Sequence, residues 1–303
     1  MHRQSTTTLA DIMDGGRTVE RLATGFVFTE GPIWYPDGSL HFSDIPGDTR
    51  YRWHESDGVS IVRSPSDKTN GSTLDRDGHL ITCEQTTSHV VRTDAAGRRE
   101  IIASHYDGKE LNSPNDVVAA SDGSIWFTDP DWGRTYPGFG LERPVELSFK
   151  GVFRAPDGGG ELELVADDFD GPNGLCFSPD ETRLYVNDSP RCHIRVFNIA
   201  ADGRVTGGGV FASGIGDGAF GSGVVDGMKA DEHGNIYVTG PRGIWIFSPY
   251  GARVGIIEVP EEAANLNWGG PDWKTLYITA TASIYRIRLA VAGAPCAYMR
   301  RSA

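Results

Sequence analysis

The sequence predicts an all-β fold, a six-bladed β-propeller with four-stranded antiparallel blades around a central axis. Three observations carry this. A strand–turn–strand module, EGPIWYPDGSLHFSD from Glu30, recurs five more times, from Asn70, Asn115, Asn173, Asp226 and Asn265. The first apolar residue after each turn is Leu40, Leu80, Ile125, Leu184, Ile236 and Leu276, with gaps of 40, 45, 59, 52 and 40 residues. Self-similarity at this period marks four-stranded blades. No stretch sustains a helical period over about a dozen residues.

The elements follow in order. Residues 1–17 are polar and read as a loose arm. Val19–Ala23 is the candidate closing strand, supplied by one terminus to a blade built by the other. Blade 1 runs from Glu30 through a tight turn at Pro36-Asp37-Gly38 to the returning strand LHFSD, then Tyr51–His54 and Val59–Arg63. Blade 2 repeats this with Val90–Thr93, a turn at Ala95-Ala96-Gly97 and Glu100–Ala103, glycine standing where positive φ is needed. Blade 3 is interrupted by residues 130–146, rich in Gly, Pro and aromatics, which read as a loop over one face. Ile194–Phe197, Ile244–Phe247 and Ile284–Leu289 are the third strands of the last three blades. The whole chain, 1–303, reads as a single propeller domain.

Composition narrows the function classes. A formal net charge of −13 argues against nucleic acid or an anionic membrane surface as a partner. The four cysteines form no C-x-x-C pair, so a zinc–thiolate site is not suggested and reduced thiols are expected. No stretch approaches the ~18 apolar residues of a membrane span, and the first twenty residues lack a signal-peptide core. The expected setting is cytoplasmic.

Counting back ten residues from each anchor, or eleven in copies four and six, reaches Glu30, Asn70, Asn115, Asn173, Asp226 and Asn265. All six carry a side-chain carbonyl or carboxylate oxygen. In a closed ring they converge at one end of the axis. Glu30, Asn115, Asn173 and Asp226 then form a hard-oxygen cage with two negative charges, suited to one divalent cation. Calcium comes first, with magnesium, manganese or zinc as alternatives. Asp226 is the candidate general base or nucleophile. Asn70, Ser113, Asp116, Trp132 and Asn265 are candidate contacts for a small-molecule substrate. The second strands return to the same face and end in Asp44, Glu84, Asp129 and Asp188. Their expected role is turn hydrogen bonding, the alternative being to orient the ring amides. Trp132, Arg134 and Tyr136, in the insertion, are expected at this face as a lid or pocket wall.

Four motifs add a resemblance. E-G-P-I-W at Glu30, S-P-N-D at Ser113–Asp116, P-N-G-L at Pro172–Leu175 and D-G-M at Asp226–Met228 resemble those of the regucalcin (senescence marker protein)/gluconolactonase family, in order over residues 30–280. The resemblance implies a six-bladed propeller with one divalent cation on its axis. It matches Glu30, Asn173 and Asp226 to the metal ligands, Asn115 to a metal or substrate contact, and Asp226 to the base. It implies hydrolysis of sugar lactones such as aldonolactones. Several sugar-lactone members carry arginine where Ser113 stands here. The competing readings are a phosphotriesterase-like hydrolase on the same cation, a propeller scaffold that binds a protein partner, and a calcium-binding protein without catalysis.

Overall fold

A computed structural model describes residues 7–16, 18–217 and 223–302. Six four-stranded antiparallel sheets follow one another around a ring. Blade 1 is Thr29–Trp34, Leu40–Asp44, Thr49–His54 and Gly58–Arg63. Blade 2 is Thr69–Leu74, Leu80–Glu84, His89–Thr93 and Arg99–Ala103. Blade 3 is Val117–Ala119, Ile125–Asp129, Lys150–Ala155 and Glu163–Phe169. Blade 4 is Pro172–Phe177, Arg183–Asp188, His193–Ile199 and Val205–Ser213. Blade 5 is Met228–Ala230, Ile236–Gly240, Gly243–Phe247 and Arg253–Glu258. Blade 6 is Ala263–Gly269, Thr275–Ala280 and Ser283–Arg288, completed by the N-terminal strand Glu20–Thr24. Each inner strand packs on the inner strand of the next blade, and that of blade 6 on that of blade 1, so the ring closes.

The core lies between blades rather than within one. Ile81, Cys83 and Val90 of blade 2 pack against Ile125, Phe127 and Phe153 of blade 3. Tyr237, Ile244 and Ile246 of blade 5 meet Leu266, Leu276 and Ile278 of blade 6 in the same way. The blade-1 turn forms as its residues dictate. Gly38 takes φ +87°, and Asp37 Oδ1 accepts the Ser39 N–H at 3.0 Å.

The closing strand pairs Glu20 with Arg286 and Thr24 with Ser283. The expected loose arm is corrected where it is described; residues 1–6 and 17 lie outside the described residues. Leu9–Ile12 form one helical turn, begun by a reciprocal Thr8–Asp11 capping pair. Ile12 is fully buried and Met13 bridges to Leu289. The physical reason is the spacing of Leu9, Ile12 and Met13, which puts three apolar side chains on one side of a single turn against blades 5 and 6. Residues 130–146 follow the second strand of blade 3 and contain a helical turn, Trp132–Thr135. A small hairpin, His105–Tyr106 with Lys109–Glu110, stands outside the blade repeat between blades 2 and 3. Among the described residues, no helix is long and apolar enough to cross a membrane.

Candidate active site

Glu30, Asn70, Asn115, Asn173 and Asp226 line one cavity of about 340 Å³ at the end of the axis where the inner strands begin. Asn265, the sixth ring position, is buried beside them and donates from Nδ2 to Glu30 Oε2 at 2.8 Å. Local chain geometry brings the ring together. In blades 1, 2 and 4 the inner strand carries one extra residue beside the ring position, and such bulges re-aim side chains. The residue after the ring position is glycine in four blades. A Cβ on Gly31 would stand 2.1 Å from the Asn70 carbonyl oxygen, and one on Gly174 would stand 2.1 Å from that of Asp226. Only glycine permits that approach of neighbouring strands. The second strands stitch the ring from outside. Ser43 Oγ donates to Asn70 O at 3.4 Å, Thr128 Oγ1 to Asn173 O at 2.8 Å, and Asn187 Nδ2 to Asp226 O.

The electrostatics are those of carboxylates short of positive charge. Burial, with the Asp116 carboxylate beside it, pushes Glu30 up to about 7. Burial, then the Glu30 and Asp116 charges, raise Asp226 well above the ordinary carboxylate range. Lys229 Nζ stands 3.9 Å from Asp116 Oδ2, beyond hydrogen-bond reach. Two of the ring amides have oxygens to spare. Asn173 donates from Nδ2 to Ser189 Oγ at 3.1 Å, while its Oδ1 is buried without a hydrogen-bond partner. Asn70 Oδ1 is likewise buried without a partner. Native proteins seldom leave such atoms unsatisfied. Two carboxylates that destabilise each other, plus unpartnered amide oxygens, are a donor set that fits a hard divalent cation. Glu30, Asn173 and Asp226 would hold it, with Asn115 on the same wall.

The other candidates separate. Trp132 lines the cavity together with Tyr136 and Phe139, and Phe139 packs edge-on to Phe28 at 5.6 Å. Arg134 turns away from it. Its buried guanidinium donates to the carbonyls of Asn112 and Pro144 and pairs with Glu110 at 2.9 Å. Ser113 is fully buried outside the cavity wall, donating to Pro130 O at 2.7 Å and accepting the Gly133 N–H at 2.9 Å. It ties down the insertion. Asp116 lies beneath the ring, its Oδ1 accepting the Val117 N–H at 2.9 Å. The strand-end acids anchor the segments that lead into the inner strands or pair with arginines, more than they serve the turn role expected of them. Asp44 accepts the N–H groups of Val27 and Phe28, Asp188 those of Asp170 and Gly171, and Asp129 that of Asn112. Glu84 pairs with Arg63 and Arg99.

Gln85 and Glu262 also line the cavity, and sequence reasoning missed both. Each sits off the repeat register, Gln85 one residue past a second strand and Glu262 just before an inner strand. Only the observation that strand ends gather at one face could have found them. Asp75, Asp77 and His79 form a separate acidic group in the blade-2 turn at the opposite end of the axis. Asp75 Oδ1 already accepts the N–H groups of Asp77 and His79, and Arg92 Nε donates to Oδ2 at 3.0 Å, so this group serves the turn.

Residues 28–282 match the family described as SMP-30/gluconolactonase/LRE-like region. A gluconolactonase of Zymomonas mobilis is 33% identical over 306 residues, covering 91% of this chain and 83% of that protein. The structure of a gluconolactonase from Xanthomonas campestris superposes with a TM-score of 0.85 at 32% identity, covering 93% of this chain and 92% of that one. A calcium-binding protein, regucalcin, from Agrobacterium tumefaciens shares the fold with a TM-score of 0.73 at 18% identity, over 93% of this chain and 97% of that one. Motif order, ring and matched length agree: the chain belongs to the SMP-30/gluconolactonase/LRE-like family.

Proposed function

We propose that this protein hydrolyses a small lactone, a sugar lactone by class, at the ring cavity with the help of one divalent cation, calcium first. The observation that carries the reading is the buried Glu30–Asp226 pair beside the unpartnered Asn173 oxygen. The lactonase names of the relatives at 33% and 32% identity support lactones over phosphotriesters. A bound cation would act as a Lewis acid on the lactone carbonyl oxygen.

The chain's own groups supply the rest. Asp226 is the candidate general base, a carboxylate whose proton affinity burial and the neighbouring Glu30 and Asp116 charges raise. It takes a proton from water as the water oxygen bonds to the carbonyl carbon. When the ring C–O bond breaks, the same carboxyl returns the proton to the departing ring oxygen, leaving an open hydroxy acid. Asn115, on the cavity wall, orients the substrate. Trp132 and Phe139 give the cavity an apolar wall beside the ring.

The test is a panel of lactones and phosphotriesters assayed with and without a chelator, and again with Asp226→Asn. Lactone hydrolysis should be lost with chelator and restored by the cation. The variant, at saturating metal with occupancy measured, should lose roughly 10²–10⁴-fold in turnover. Full activity in a metal-loaded Asp226→Asn protein would exclude Asp226 as the base.

A further inference from the structure

We infer that the cavity selects uncharged lactones, rejects those carrying an anionic substituent, and reads a substrate hydroxyl through Gln85; the inference rests on the lactone reading above. Among the described residues, no Arg, Lys or His side chain lines the cavity. Both arginines of the covering segment are committed elsewhere: Arg134 to backbone carbonyls and Glu110, Arg143 to Glu110 at 2.7 Å and Thr86 O at 3.0 Å. Glu262 instead adds a carboxylate to the wall, and its charge is felt at Asp226. With a divalent cation balancing the ionised Glu30 and Asp226, and Lys229 facing Asp116 beneath the ring at 3.9 Å, Glu262 leaves the site with a net −1. A sulfonate or phosphate on the substrate would enter that field without a counter-charge, between Phe28, Ile45, Phe139 and Val224. Burying an unpaired charge among apolar groups is strongly unfavourable.

The same wall offers acceptors in place of cations. Gln85 is 1% exposed, and its Oε1 is buried without a hydrogen-bond partner. Its backbone is held: the N–H donates to Lys68 O at 3.3 Å, and Gly133 packs so close that a Cβ there would stand 2.8 Å from the Gln85 Cβ. A substrate hydroxyl satisfies an amide oxygen without bringing charge. Unpartnered Asn70 Oδ1 adds a second such acceptor. Flat aromatic walls complement the C–H faces of a neutral ring.

The experiment compares kcat/KM of the full, metal-loaded chain for three substrates: a neutral sugar 1,5-lactone, the same lactone with a 6-sulfonate or 6-phosphate, and an unsubstituted six-membered lactone. The anionic lactone should fall roughly 10-fold or more below the neutral one, the scale of one uncompensated charge a few ångströms away. Glu262→Gln should narrow that gap. Gln85→Met keeps side-chain length without the amide. It should lower the ratio of polyhydroxylated to unsubstituted lactone by roughly 10-fold, chiefly through KM, the scale of one hydrogen bond. Equal or better turnover of the anionic lactone would overturn the charge selectivity and leave the lactonase reading standing. An unchanged ratio in a folded Gln85→Met protein would overturn the role of Gln85. Failure to hydrolyse any lactone would overturn both readings. Should Gln85→Met not fold, the wild-type panel and Glu262→Gln still decide the charge selectivity.

Discussion

Glu30 sets the pH behaviour expected of the site. Its carboxyl is held at about 7 by burial and by Asp116, against an ordinary value of 4.5. Between those values the metal-free folded protein keeps a proton that the unfolded chain releases. Stability of the metal-free protein should therefore fall as pH rises from 4.5 towards 7. A cation competes for the same oxygens, so its apparent affinity should weaken as pH drops below about 7, by up to roughly 10-fold per unit. Titration calorimetry in buffers of different ionisation enthalpy should detect proton release near neutral pH. An affinity that does not change between about pH 5.5 and 7.5 would remove Glu30 from the ligand set. At this scale the repeat in the sequence picked out Glu30, Asn70, Asn115, Asn173 and Asp226, which share one cavity, and Asn265, which bonds Glu30 beside it. It did not display Gln85, Glu262 or Phe28, which lie on connections that no period governs. Nor did it show that Arg134 turns inwards, since carbonyls spread over Leu111, Asn112 and Pro144 decide that.

The glycines that follow the ring residues hold the elements in place, and two kinds of glycine should respond differently to alanine. Gly97 sits at a hairpin tip with φ +79°, and a methyl group there would meet nothing within 4 Å. Gly97→Ala should cost only the backbone strain, about 1 kcal/mol. Gly174 has no positive φ, and its cost is contact alone: the new carbon would stand 2.1 Å from Asp226 O and 2.9 Å from the Gly227 Cα. Both are backbone atoms that cannot rotate away. Gly174→Ala must push blades 4 and 5 apart, and should cost about 3 kcal/mol or more, in the range of severe core disruption. Because it moves Asp226 against Asn173, cation affinity should fall as well. Denaturant unfolding of the two variants, with cation titrations, checks this; equal stability losses would contradict it. Strand alternation and Asp-Gly turns were legible because each is written within a few residues. The Leu9–Ile12 turn was not, since one turn of helix is shorter than any periodicity that reveals helices.

At the scale of the whole molecule, the ring must be closed by a strand from the far end of the chain. Glu20–Thr24 covers Ser283–Arg288, and Arg286 Nε donates to Glu20 Oε2 at 2.8 Å. The expected strand at Val19–Ala23 is found one residue later, legible because a propeller whose last blade ends in an open edge is unfavourable. Blade 6 also carries Asn265, which holds the Glu30 carboxylate of blade 1, so closure and the candidate site share an element. A chain beginning at residue 25 should therefore lose more than a surface strand. It removes buried Ile12 and Val19, each contributing about 1.5–3 kcal/mol by burial alone, and it leaves Ser283–Arg288 as an exposed edge. The expected result is a lowered Tm and loss of hydrogen-exchange protection that begins at residues 283–288 and extends to 263–269. Cation affinity should weaken in parallel, because Glu30 would lose its fixed partner. Adding back a peptide of residues 7–24 should restore protection in blade 6. A truncated chain with unchanged Tm and full protection at 283–288 would show that the ring closes through its inner strands alone, without the N-terminal strand.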